Sequence, residues 1–135
     1  MKKVTIALAA ILIGGLAQAD NLEGVDKMVC AVAQVHVCIE NDTCYLAAPW
    51  ELDIPDFVVI DTGKKTISTS KASNQNRSTP FTNVAKSSGL IYLQGIERGR
   101  AFSFVIDEAT GRMTVALSLD GLSVSVFGTC TDTNL

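Results

Sequence analysis

Hydrophobic and polar positions alternate through residues 89–130 in four runs, GLIYLQGIE, RAFSFVID, RMTVALSL and LSVSVFGTC. In the third run Met113, Val115, Leu117 and Leu119 point one way, with Thr114, Ala116, Ser118 and Asp120 opposite. In the fourth, Leu122, Val124, Val126 and Cys130 share a face. Ser123, Ser125 and Thr129 take the other, together with one large apolar exception, Phe127. A period of two marks a half-buried strand. The runs break at Arg98-Gly99, at Glu108-Ala109-Thr110-Gly111 and at Asp120-Gly121, and Asp-Gly between alternating runs is a strong hairpin signal. The pattern predicts an antiparallel meander whose apolar face must be covered.

Upstream the pattern is less regular. Residues 28–39 (MVCAVAQVHVCI) are apolar and β-branched, and strict alternation puts Val29, Ala31, Ala33, Val35, Val37 and Ile39 on one face. A strand is the favoured reading, although Leu22, Val25, Val29 and Val32 also fit helical spacing. Pro49 and Pro55 interrupt any ladder through 45–56, where a short helical turn is expected over 49–52. Strands follow at 57–61 and 66–70, joined by Thr62-Gly63-Lys64-Lys65. The polar run 71–79 (KASNQNRST) is expected to be a flexible loop, with an edge strand returning over 80–84. The fold class is therefore all-β: a small antiparallel meander of seven or eight strands, closed as a barrel or barrel-like sandwich. Closure matters because long open edges invite aggregation.

The first residues are of another kind. Lys2 and Lys3, an apolar stretch over 4–16 and the small-residue site Ala17-Gln18-Ala19 form a signal peptide over residues 1–19, with cleavage after Ala19. The apolar stretch is shorter than the ~20 residues of a spanning helix. The expected product, residues 20–135, is a single monomeric domain, periplasmic or extracellular, with no stable membrane insertion. Full-length, the chain has 11 Lys+Arg against 14 Asp+Glu, and loss of Lys2 and Lys3 leaves a net charge of −5. An acidic surface without basic clusters argues against nucleic acid and anionic membrane as partners.

Export also decides how the cysteines are read. Cys30, Cys38, Cys44 and Cys130 are even in number, and in an oxidising compartment they imply two disulfides. Cys30 and Cys38 would stand ~26 Å apart along a strand or ~12 Å along a helix, beyond the ~7 Å a bridge allows. Of the two schemes left, Cys38–Cys44 with Cys30–Cys130 is preferred, because it closes the short IENDT turn and ties the first strand to the last. A metal centre would have to add His36, and the spacing lacks the paired C-x-x-C units of structural zinc sites. Neither a metal nor a cofactor is expected.

Candidate chemistry is sparse. His36, the only histidine, lies between Val35 and Val37 without a Gly-x-Ser-x-Gly elbow elsewhere. Glu51, Asp53 and Asp56 gather around the prolines, where solvated turn acids are the ordinary explanation. The expectation is a protein that is not an enzyme. Binding candidates are Arg98 and Arg100, two guanidinium groups at one hairpin tip, and Trp50, whose ring lies near acids in sequence.

Several stretches carry a resemblance. Cys30, Cys38 and Cys44, Ile54-Pro55-Asp56-Phe57 running to Ile60-Asp61, Leu93-Gln94-Gly95, Ile106-Asp107 through Thr110-Gly111-Arg112-Met113, and Phe127-Gly128-Thr129-Cys130 resemble a class of small exported bacterial proteins without assigned activity. Separately, Ser88-Gly89-Leu90-Ile91-Tyr92 is similar to the Ser-Gly-x-x-Tyr stretch of periplasmic inhibitors of C-type lysozyme. That likeness implies inhibitory contacts at Ser88, Tyr92 and their loop. The function expected is a non-catalytic binding module for a small ligand or cell-envelope partner. The alternative is a protein inhibitor of a secreted hydrolase such as a lysozyme.

Overall fold

The computed structural model describes residues 21–133, so the signal peptide expected over 1–19 lies outside the described residues. The strands are β1 (Lys27–Ile39), β2 (Cys44–Ala47), β3 (Phe57–Asp61), β4 (Thr66–Thr69) and β5 (Ser78–Pro80). They continue as β6 (Asn83–Ser87), β7 (Leu90–Glu97), β8 (Arg100–Asp107), β9 (Arg112–Leu119) and β10 (Leu122–Asp132). All pair antiparallel in one ten-stranded sheet curled into a half-barrel. The all-β expectation holds, with ten strands in place of seven or eight. The surplus comes from β2, too short to stand out beyond Cys44, and from β5 and β6, which divide the single edge strand expected over 80–84.

The ladder runs β5-β4-β3-β1-β10-β9-β8-β7-β6. Read as a circle, this is a meander joined through β1 and β10 and open between β5 and β6. The opening falls where the chain itself turns from β5 to β6, at Pro80, Phe81 and Thr82. Pro80 has no N–H to donate. Single contacts stand in for the ladder there: the Phe81 N–H donates to the Lys65 carbonyl at 3.0 Å and the Thr82 N–H to the Gln94 carbonyl at 2.8 Å.

β1 is the spine. One side pairs with β10 along its length; the other pairs first with β3 and then with β2. Its register shifts between Val32 and Gln34, a bulge that strict alternation does not anticipate. Met28 and Cys30 are buried before the bulge, and Val35 and Val37 after it. The extra residue thus keeps both halves of a long strand facing one core. Each disulfide joins residues directly opposite in the ladder, Cys30–Cys130 between β1 and β10 and Cys38–Cys44 between β1 and β2. The predicted pairing is the one observed.

Alternation in β7 to β10 is as expected. Ile91, Leu93, Phe104, Ile106, Met113, Val115, Val124 and Val126 are buried on the concave face, while Phe127 stays exposed on the convex face, edge-on to His36. The run 71–79 proves to be structured: it holds a 3₁₀ turn, Lys71–Ser73, and the start of β5. A second 3₁₀ turn, Pro49–Leu52, lies where a helical turn was expected, and the Glu51 carboxylate accepts the Ala48 N–H at 2.6 Å. No helix among the described residues is long and apolar enough to cross a membrane.

Candidate functional site

Three polar residues occupy positions in phase with the core. On β7 the concave face reads Ile91, Leu93, Gly95 and then Glu97; on β8 it reads Arg100, Phe102, Phe104 and Ile106. Glu97 and Arg100 are cross-strand partners at the end of this hairpin. On β5, Thr79 pairs with Ile67, which pairs in turn with buried Ile60, so Thr79 also faces inward. The three meet at one end of the half-barrel, beside the opening between β5 and β6.

Arg77, immediately before β5, completes the cluster. One of its terminal nitrogens donates to the Glu97 carboxylate at 2.9 Å, and the other to the Asp53 carbonyl at 3.0 Å. The Thr79 hydroxyl donates to the same Glu97 oxygen at 3.0 Å. Arg100 donates to the carbonyls of Leu52 at 2.7 Å and Asp53 at 3.2 Å, and reaches Glu97 at 3.4 Å. The outermost member, Arg98, pairs with the Asp53 carboxylate. Asp53 adopts a left-handed backbone (φ 53°) as the 3₁₀ turn ends, and its carbonyl accepts from both buried arginines.

Arginine is costly to bury unless its donors are matched. The side chains of Arg77 and Arg100 are only 13% and 9% exposed, and each of their terminal nitrogens donates as described. The Arg77 Nε–H is buried and has no hydrogen-bond partner among the described residues. Burial raises the pKa of Glu97, but hydrogen bonds from Arg77 and Thr79 and the charges of Arg77 and Arg100 outweigh it and leave the carboxyl below its ordinary value. The cluster thus holds three guanidinium groups against two carboxylates, Asp53 and Glu97.

Behind it the concave face leaves a cavity of about 80 Å³. Val32, Val58, Ile67, Phe104, Met113 and Val115 form its apolar wall, and Arg77, Thr79, Glu97 and Arg100 a polar cluster in it. Phe102 shapes one side: its ring lies across Gly95, where an added Cβ would overlap the ring. A second, more open depression involves Thr82, Gln94 and the small residues Ala101, Ser103 and Ala116, without charged groups.

Of the residues singled out from sequence, Arg98 and Arg100 belong to this site. Trp50 lies in the adjoining 3₁₀ turn and is 78% exposed. Ser88 forms the two-residue turn between β6 and β7 with Gly89, both at positive φ, and Tyr92 stands on the convex face. Neither approaches the cavity. His36 lies against Phe127, Glu51 caps the 3₁₀ turn and Asp53 holds arginines, so these groups do not share one cleft. The described residues contain no group of three or more His, Cys, Asp and Glu side chains able to hold a metal.

Arg77 and Thr79 fall in the run 71–79, and Glu97 in the hairpin 97–100, both of which the sequence offers as binding segments without singling out these three side chains. Glu97 and Arg100 did carry a signal, a charged residue in phase with buried ones on each strand. Arg77 carried none, because it sits in a polar run. Comparison of the sequence with protein-family models and with curated proteins finds no match.

Proposed function

We propose that the protein is a non-catalytic binding module that takes a small apolar group into the concavity of its half-barrel. One observation carries this reading: a largely apolar cavity lies within the half-barrel, with the charged side chains of Arg77, Glu97 and Arg100 clustered in its wall. Ligand sites characteristically combine an apolar lining with a few placed polar groups that fix orientation. A cavity of about 80 Å³ is small. An engineered apolar cavity of about 150 Å³ holds a benzene, so this one takes roughly a three- or four-carbon group. The ligand is therefore a small molecule, or the tip of a larger one.

Native mass spectrometry of protein purified without unfolding tests the proposal, with Val115→Phe as the variant that fills the cavity. Expected is a small molecule bound to the wild type, released on unfolding and missing from Val115→Phe. A wild type that carries nothing, or an adduct carried equally by the variant, would count against it.

A further inference from the structure

We infer that the group bound in the cavity is the short apolar tail of a monocarboxylate, whose carboxylate is received by Arg77. The inference rests on the binding reading above and adds the chemistry of the head group. Three observations point to it. The charged residues of the lining, Arg77, Glu97 and Arg100, are bonded together with Thr79 in one cluster, so an occupant with an apolar body is oriented head toward them. Arg77 lines the cavity, and its Nε–H is a buried donor without an acceptor among the described residues. A buried polar group left unmatched is unfavourable, and a ligand oxygen would relieve it. Finally, the surrounding ion pairs leave one positive charge in excess, Arg77, Arg98 and Arg100 facing only Asp53 and Glu97.

A carboxylate matches all three. It is anionic, it is an acceptor, and guanidinium is the side chain best shaped to receive it. A neutral head such as an alcohol or amide could accept from the Nε–H but would leave the excess charge unmatched. A phosphate-bearing head is disfavoured because its higher charge would meet the Glu97 carboxylate in the same cluster. The size of the cavity limits the enclosed tail to about three or four carbons, as in butyrate or valerate.

The probe is butyrate, with butanol and butyramide as neutral counterparts, titrated into the ¹⁵N-labelled protein. The Arg77 Nε–H resonance and the backbone amides of Val58, Ile67 and Val115 are followed. Expected is a saturable downfield shift of the Arg77 Nε–H with butyrate, and affinity for butanol and butyramide at least ~10-fold weaker, the ratio that one charge-assisted hydrogen bond supplies. Arg77→Lys, which keeps the charge and removes Nε–H, is expected to lose most of that preference. Equal binding of all three probes, or butyrate binding that leaves the Arg77 resonance unmoved, overturns the carboxylate inference and leaves the binding reading standing. Binding of none of the probes to these residues overturns both. Because the wild-type Nε–H is itself the reporter, the result does not depend on the variant folding.

Discussion

At the scale of single residues, Glu97 joins the two ends of the curled sheet by accepting from Arg77 and Thr79 across the interruption, and it also accepts from Arg100 in its own hairpin. Its pKa is lowered in the folded protein. A glutamate titrates near about 4.3 when unfolded. Glu97 therefore stabilises the fold above that pH, and its contribution disappears as the pH falls through the lower folded-state value. Glu97→Gln is expected to lower the unfolding free energy at neutral pH by about 1–3 kcal/mol, since charged donors lose part of their match. Denaturant unfolding followed between neutral and acid pH should show a shallower acid-side loss in the variant. The slope should be reduced and not abolished, because the Thr110 backbone N–H also holds the Asp107 carboxyl below its ordinary value. Unchanged pH dependence in Glu97→Gln would mean that the clasp contributes little.

At the scale of elements, β1 and β10 organise the molecule, and their legibility in sequence was unequal. The strands β7 to β10 could be read closely because each is buried on one face and turns at a glycine. β1 could be read as a strand, but its facing could not: the bulge after Val32 exchanges the two faces, and only the register against β10 reveals it. The site suffered most. Arg100 and Glu97 break the apolar phase of their strands, a legible sign, whereas Arg77 meets them only because the sheet curls. The disulfides differ in a way the loop lengths anticipate. Cys30–Cys130 spans a sequence separation of 100 residues and Cys38–Cys44 one of 6. On the chain-entropy model these correspond to about 4.7 and about 2 kcal/mol. Replacing both cysteines of the long bridge by alanine should lower stability about twice as much as replacing those of the short one. Equal losses in denaturant titrations would show that strand geometry, and not loop closure, sets the value of these bridges.

At the scale of the whole molecule, the half-barrel is continuous from β5 round to β6 and interrupted only between them. The interruption is bridged by side chains and a few single hydrogen bonds, so local opening should begin there. Native-state amide exchange is expected to be fastest in β5 and β6, and slowest in the paired amides of β1 and β10 around Cys30 and Cys130. Uniform protection across the sheet would contradict this. The cavity is lined from β1, β3, β4, β5, β7, β8, β9 and β10, so the curl of the sheet is what assembles its wall.

The most direct test of that account is diffraction from a crystal held under xenon pressure. Xenon enters accessible apolar cavities without any help from charge or hydrogen bonding. The account predicts a xenon atom in the concavity among Val58, Phe104, Met113 and Val115, absent from Val115→Phe. An empty concavity in the wild type, or xenon found only elsewhere, would contradict it.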